Sequence, residues 1–340
     1  MKVSRRRIAR PRARLDCVLR AAVMALACLL AAPAVRAQVK APPGKVFRVG
    51  FLVLNTQPVE EPVIAHLVAS ASAEGYPIAI ERGRAEGRPD RLAALAADLV
   101  ERKVDVLVAY TNAAAFAARA ATGSIPIVVW AAHDAVGTGL VASLSRPGGN
   151  VTGVESLAPE LDSKRVQFVR ELLPAAKRLA AFYNPADPGA AAHLRAIREA
   201  AAVLGFEVLP IEIADRDGVD RALATFASLR PDALLTITDP VTNHAFDRFA
   251  EAARLARTPT MCEFREFTQR GCVMAYGATL AEFNQRVLRF IELIRKGARP
   301  ADLPLEQVTR FELAMNMKAA RAIGVVPPAS ILLRADHVIE

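Results

Sequence analysis

From Val46 onward the chain alternates short, apolar, β-rich runs with amphipathic stretches of helical period, and few folds accommodate that alternation. The runs Val46–Leu54, Tyr76–Arg82, Val104–Tyr110, Ile125–Ala132, Arg178–Asn184, Val208–Ala214, Ala233–Asp239, Thr258–Glu263 and Val273–Gly277 read as strands. Most are apolar at nearly every position, the pattern of strands covered on both faces. Between them Leu92, Leu95 and Leu99 form a helical stripe, as do Leu194, Ile197, Ala201 and Leu204, closed by Gly205, and Phe283, Val287, Phe290 and Ile294, ended by Gly297. Asp90 after Pro89, and Asp187 before Pro188 at a first helical position, mark starts. The pattern predicts parallel sheets with helices on both faces. With 340 residues and an interrupting loop, Arg146-Pro147-Gly148-Gly149-Asn150, two lobes are expected, with a boundary near Leu157.

The net charge of +9 suggests a nucleic-acid binder until it is located. Residues 1–37 hold nine basic residues and one acid, Asp16; without them 35 basic and 34 acidic residues remain. The folded body therefore lacks the basic excess that a nucleic-acid face requires, and no nucleic-acid partner is expected. The N-terminal segment reads as an export signal: a basic region, an apolar stretch Ala21–Ala32, and a small-residue pattern Val35-Arg36-Ala37, with residues 38–45 as a tether. The apolar stretch is too short to span a bilayer, which takes about 20 residues. Ser4-Arg5-Arg6-Arg7-Ile8 leaves Sec and twin-arginine export both open. Either predicts a periplasmic mature chain, which would keep only Cys262 and Cys272. That pair permits one disulfide in an oxidising compartment; two buried thiols are the alternative.

Catalytic signatures are scarce. Gly137-Thr138-Gly139-Leu140-Val141-Ala142 matches a dinucleotide fingerprint in letters but does not open a first βα turn, so no cofactor is expected. The histidines show no metal-ligand spacing, and no metal is expected. His193 and His244 fall in helical stretches and read as surface residues. His133, beside Asp134 at a strand end, offers a proton relay or a pocket wall, and without a nucleophile nearby the pocket or turn reading prevails. A secreted α/β enzyme is correspondingly disfavoured.

Open α/β sheets bind ligands beyond the carboxyl ends of their strands. Those ends supply Asn55 and Thr56; Tyr110, Thr111 and Asn112; His133 and Asp134; Asn184; Asp239; and Tyr276 as candidate ligand contacts. Thr111 and Asn112, at a helix start, suit a carboxylate, while Asp134, Asp239 or Glu263 can face an ammonium. Each acid has a plainer reading: Asp239 before Pro240 caps a helix, and Glu263 near Arg265 and Glu266 joins a solvated charge cluster. Asn184 before Pro185 shapes a turn, and Tyr276 packs at the lobe junction. The mixture suits a small polar solute better than catalysis.

The stretch Ile125-Pro126-Ile127 through Asp134-Ala135-Val136-Gly137-Thr138-Gly139-Leu140 to Ser145-Arg146-Pro147-Gly148-Gly149-Asn150-Val151-Thr152-Gly153 resembles that of the TrpX-like substrate-binding proteins of ABC transporters. So do Ala85-Glu86-Gly87-Arg88-Pro89-Asp90, Phe182-Tyr183-Asn184-Pro185, Arg265-Glu266-Phe267, Tyr276-Gly277, Lys296 to Pro304, and Leu332-Leu333-Arg334-Ala335-Asp336. The resemblance implies a type I periplasmic-binding fold: α/β, two doubly wound parallel-sheet lobes joined by a hinge. Lobe one would hold 46–156 and about 279–302, lobe two 157–278 and about 303–340. It further implies a monomeric, non-enzymatic receptor that captures a small-molecule solute, an amino acid or related carboxylate, and delivers it to an ABC permease and its ATPase. A periplasmic ligand sensor shares the fold and is the alternative. Around the pocket the chain departs from the family, with Val53-Leu54-Asn55-Thr56 and Tyr110-Thr111-Asn112-Ala113 in place of the usual Ser- and Gly-rich loops.

Overall fold

The computed structural model describes residues 45–54, 59–156, 158–214 and 217–340. The signal reading, most of the tether, and candidates Asn55 and Thr56 lie outside them. In the first sheet are β1 (Phe47–Val53), β2 (Ile78–Arg84), β3 (Val106–Tyr110), β4 (Ile127–His133) and β5 (Val151–Ser156). The second has β6 (Arg178–Tyr183), β7 (Glu207–Glu212), β8 (Ala233–Thr236), β9 (Thr260–Cys262) and β10 (Met274–Ala278). Short β11 (Glu306–Gln307) closes the first sheet, while β12 (Phe311–Asn316) and β13 (His337–Ile339) complete the second.

Both sheets repeat one plan. The first runs β2-β1-β3-β4-β5-β11 and the second β7-β6-β8-β9-β10-β12-β13. All pairings are parallel except that of β10 with β12. Each sheet thus reverses its winding once, between β1 and β3 and between β6 and β8, and the crevice beyond those strand ends is where such sheets hold ligands.

The continuous apolar runs follow from burial on both faces. In β3, Val106, Val108 and Tyr110 enter one core layer, and Leu107 and Ala109 enter the other. The first sheet lies between α1 (Glu61–Glu74) on one face and α2 (Leu92–Glu101) and α3 (Asn112–Ala121) on the other. The second is flanked by α4 (Ala158–Leu172) and α5 (Ala190–Leu204) on one side, with α6 (Gly218–Leu229) and α7 (Pro240–Leu255) opposite. Gly205 ends α5 at φ 74°, as its spacing predicts. That helix starts two residues later than expected, because Asp187 accepts from the Gly189 N–H in a preceding turn. After α8 (Glu266–Gln269), α9 (Leu280–Arg295) returns to the first lobe, packing on β4, β5 and α1.

Two features differ from the sequence expectation. Val151–Ser156, outside the strands assigned from sequence, is a buried strand; a Cβ at Gly153 would stand 2.3 Å from the Val129 carbonyl oxygen. Residues 306–307, assigned by sequence to the second lobe, pair with Val154 and Glu155 in the first. The chain therefore crosses between the sheets after Ser156, after Ala278 and between Gln307 and Phe311. Among the described residues, no helix is long and apolar enough to cross a membrane.

Candidate functional site

A cavity of about 370 Å³ opens between the two sheets at their strand ends, within the roughly 300–1,000 Å³ typical of small-ligand sites. The first lobe contributes Tyr110 at the end of β3 and Thr111 after it, Trp130, Ala131 and His133 from β4, and Leu280 and Asn284 from α9. From the second lobe come Thr238, Asp239 and Asn243 at the start of α7, and Glu263, Phe264, Glu266, Phe267 and Arg270 after β9.

One wall is aromatic. Trp130 is sandwiched between Tyr110 and Phe283, at centroid separations of 5.3 and 4.7 Å. Its indole N–H donates to Asn284 Oδ1 at 2.7 Å, which fixes the ring plane and leaves its edge for the cleft. Across from it, Phe264 and Phe267 lie on the segment closed by the Cys262–Cys272 disulfide. Of the two readings of that cysteine pair, the bridge is the one the structure contains. Arg270 lies over the Phe246 and Phe267 rings, and its guanidinium donates to Asp247 Oδ1, Asn243 Oδ1 and the Asn243 carbonyl.

Polar capacity gathers at the other end. The hydroxyls of Tyr110, Thr111 and Thr238 are buried with no hydrogen-bond partner among the described residues. Burial, with the Glu60 carboxylate nearby, raises the Tyr110 phenol well above its ordinary range, so it stays neutral and able to donate. Thr111 is held at φ 87°, an unusual conformation for a β-branched residue, at the turn from β3 into α3. Asp239 serves two ends at once. Its Oδ1 accepts from the Thr242 N–H in a capping box and its Oδ2 from Asn184 Nδ2, while the residue also lines the cleft. Burial pushes its carboxyl up to about 6 despite those donors.

The structure corrects several sequence expectations. Asn112 does not line the cavity; its side-chain amide donates to the His133 carbonyl and its Oδ1 accepts the His133 N–H, which ties β4 to α3. Asp134 sits at φ 49° and accepts from the Gly137 N–H, so it builds a turn and does not line the cavity. Tyr276 packs against Phe168 and Phe311 outside the cavity. Asn184 borders a small annex of the cleft with Asp187 and Asp239, its Oδ1 accepting from the Ala186 N–H. His133 does line the cleft, but its partner is His193 and not Asp134.

His193, read as a surface residue, is 1% exposed, and Glu263, read as part of a solvated cluster, is 2% exposed. Both belong to a buried chain of charge. His133 Nδ1 lies 2.8 Å from His193 Nε2, and His193 Nδ1 lies 2.6 Å from Asp162 Oδ2. Arg165 Nη1 donates to Asp162 Oδ1 at 2.5 Å, and Arg165 Nη2 approaches Glu263 Oε1 at 3.6 Å. The sequence reading also passed over Trp130, Phe267, Arg270 and Asn284. Trp130 carried a usable signal, since it sits in β4 three residues before His133 on a strand already assigned to the cleft. Arg165 and Asp162 carried none beyond their i, i+3 spacing.

Comparison with known proteins agrees with this geometry. The family model described as ABC transporter substrate binding protein matches residues 63–339. A tyrosine-binding protein of Clostridioides difficile (strain R20291) is 24% identical over 252 residues, 74% of this chain and 72% of that protein. Among solved structures, a conserved domain protein from Vibrio cholerae O1 biovar El Tor has a TM-score of 0.80 at 26% identity, covering 86% of this chain and 100% of the other. An ABC domain in complex with L-Trp from Streptococcus pneumonia has a TM-score of 0.80 at 23% identity, over 87% and 100%. Two of these relatives are described by the amino acid they bind, tyrosine in one and L-Trp in the other. With the family model matching residues 63–339, well over half of its length, this chain belongs to the ABC transporter substrate binding proteins.

Proposed function

We propose that the protein is an exported, periplasmic receptor that closes its lobes on an aromatic amino acid or a related small aromatic carboxylate and delivers it to a membrane permease and its ATPase. The observation that carries this reading is the composition of the cleft. Tyr110, Trp130, Phe264 and Phe267 form an apolar wall, while unpartnered hydroxyls and the acids Asp239, Glu263 and Glu266 lie within the same cavity. An aromatic ring gains burial and edge or face contacts on such a wall. An amino group finds carboxylates on the second lobe. Because the cleft draws on both lobes, a bound solute contacts both only when they are closed, and that differential affinity is what drives closure.

The aromatic solutes of the tyrosine-binding and L-Trp-bound relatives support the choice of class. The basic, apolar and small-residue order of residues 1–37 supports export. The test is calorimetry and thermal unfolding of protein stripped of co-purified solute by unfolding and refolding. L-Tryptophan, L-tyrosine, L-leucine and a hexose would be compared. At about 100 times its dissociation constant an aromatic amino acid should stabilise the fold by about 2.7 kcal/mol, and Trp130→Ala should weaken it at least about tenfold. Binding of leucine or the hexose in preference to both aromatic amino acids would overturn the assignment.

A further inference from the structure

His133 and Arg270 are the two cleft residues able to carry positive charge. Arg270 is committed, since its guanidinium already donates to Asp247 and Asn243. His133 is half-buried, and among the described residues its Nε2 makes no hydrogen bond. We infer that His193 and Asp162 are positioning residues that hold His133 as an Nε2–H donor, so that the cleft receives the solute's carboxylate at His133. This assignment rests on the aromatic-carboxylate reading above and deepens it.

The direction of each proton follows from chemistry. Arg165 can only donate and Asp162 only accept, so the His193 nitrogen facing Asp162, Nδ1, carries a hydrogen. One further proton is shared between His193 Nε2 and His133 Nδ1, which lie 2.8 Å apart. While that proton pair carries one positive charge, His133 Nε2 bears a hydrogen whichever ring holds the charge. Once the charge is lost, the shared hydrogen remains on His133 Nδ1 to satisfy His193, and His133 Nε2 becomes a bare acceptor. A carboxylate then meets a lone pair where it had met a donor. The link also spans the lobes, because His133 ends β4 and His193 lies on α5. The two segments meet closely there: a Cβ on Gly189 would stand 2.7 Å from His133 Cβ.

The surrounding charges favour the singly protonated pair. Burial opposes a charge on His193, but Asp162 outweighs it and raises the imidazole above its ordinary range, with Glu263 assisting and Arg165 opposing. Burial and the charge on His193 together lower His133, against the pull of Glu263, Asp187 and Asp162. Asp239 borders the same annex. A second proton would set two cations in rings whose centroids are 4.8 Å apart.

The test has a ligand-free arm and a binding arm. In nitrogen-15 NMR of histidine-labelled protein, assigned with His133→Gln and His193→Gln, His133 should show a bare Nδ1 and a protonated Nε2 near about pH 6.5, with His193 doubly protonated. A bare Nε2 on His133 at that pH, with its hydrogen on Nδ1 and His193 neutral, overturns the inference, whether or not any solute is known. In the binding arm, affinity for L-tryptophan should fall about tenfold between about pH 6 and about pH 8.5 as the pair loses its charge. His193→Leu should lose about as much at every pH. His193→Gln, whose amide donates to His133 Nδ1 without titrating, should recover most of that loss and flatten the profile, and Asp162→Asn should move the midpoint to lower pH. L-Tryptophanamide binding as tightly as L-tryptophan at about pH 6, or an unchanged slope in His193→Gln, overturns the assignment. If wild type binds no aromatic amino acid, the aromatic reading fails while the NMR arm still decides the proton positions.

Discussion

The two lobes share a strand order but hold their halves of the cleft by different means. In the first, the ligand-facing groups leave strands buried on both faces: Tyr110 and Trp130 stack on each other, and Asn112 clamps the β4 main chain at His133. Packing and a few neutral hydrogen bonds set their positions. In the second, Glu263, Phe264, Glu266, Phe267 and Arg270 ride on the nine residues between Cys262 and Cys272, closed by the disulfide. Behind that segment stand the buried charges Asp162, Arg165 and His193. A strand end is rigid because its neighbours are rigid, whereas a loop needs a covalent tie and directed charge to reach comparable order. The same topology therefore yields a packed wall on one side and an electrostatically built wall on the other.

The contrast is most directly broken at Arg165. Replacing it by Met leaves the Asp162 and Glu263 carboxylates without their shared cation in a site 1% exposed. A loss of about 3–5 kcal/mol is expected, read by urea unfolding at neutral pH, where a loss below about 1 kcal/mol would show that the ion chain is not buried in solution. Asp239 gives the next largest effect and carries a definite sign. Its folded carboxyl titrates at about 6, above its unfolded value of 3.8, so the folded state holds the proton more tightly. Its stabilising contribution is full below the unfolded value and is lost as pH rises through about 6, a change of about 3 kcal/mol. Stability curves of wild type and Asp239→Asn should diverge over that window; parallel curves would place Asp239 in contact with solvent.

Removing the disulfide sharpens the difference between the walls. Cys262→Ser with Cys272→Ser should cost about 2–3 kcal/mol from the freed chain, and should weaken solute binding more than it changes the environment of Trp130, followed by its fluorescence. Equal disturbance of both would mean that the walls are not independent. Asn112→Ala should cost about 1–2 kcal/mol through the exposed His133 main-chain groups, with thermal unfolding as the measure. A similar loss of binding would follow from displacement of His133 and not from a lost solute contact, since Asn112 lies outside the cavity. Its affinity for solute should then be partly restored on cooling, while direct removal of a contact would not respond.

Much of the scaffold was legible because it depends on local, repetitive physics. Burial on both faces demands nearly continuous apolar strands, and amphipathic stripes with Gly205 and Gly297 at their ends mark the helices that cover them. Of the strands outside that reading, β11 and β13 are two and three residues long, β5 contains a glycine that close contact with β4 explains, and β12 carries the polar residues Glu312 and Asn316. Of the strand-end candidates, Tyr110, Thr111, His133 and Asp239 line the cleft. Sequence position does not say which way each side chain turns: the candidates Asn112 and Asp134 hydrogen-bond to main chain, and Tyr276 packs against Phe168 and Phe311, all outside the cavity.

What the sequence determined by itself was the alternation of strand and helix, the family resemblance across 46–340, and the concentration of positive charge in residues 1–37. These are properties of neighbouring residues and of composition, so they need no knowledge of distant contacts. Tertiary structure alone decided the aromatic wall, the burial of His193 and Glu263, and the chain of protons from Asp162 to His133. Those residues come from segments tens of positions apart, around residues 110, 130, 162, 193 and 263. A charge becomes buried, or an imidazole acquires a fixed proton, only when segments remote in the chain are brought within hydrogen-bond distance and water is excluded from between them.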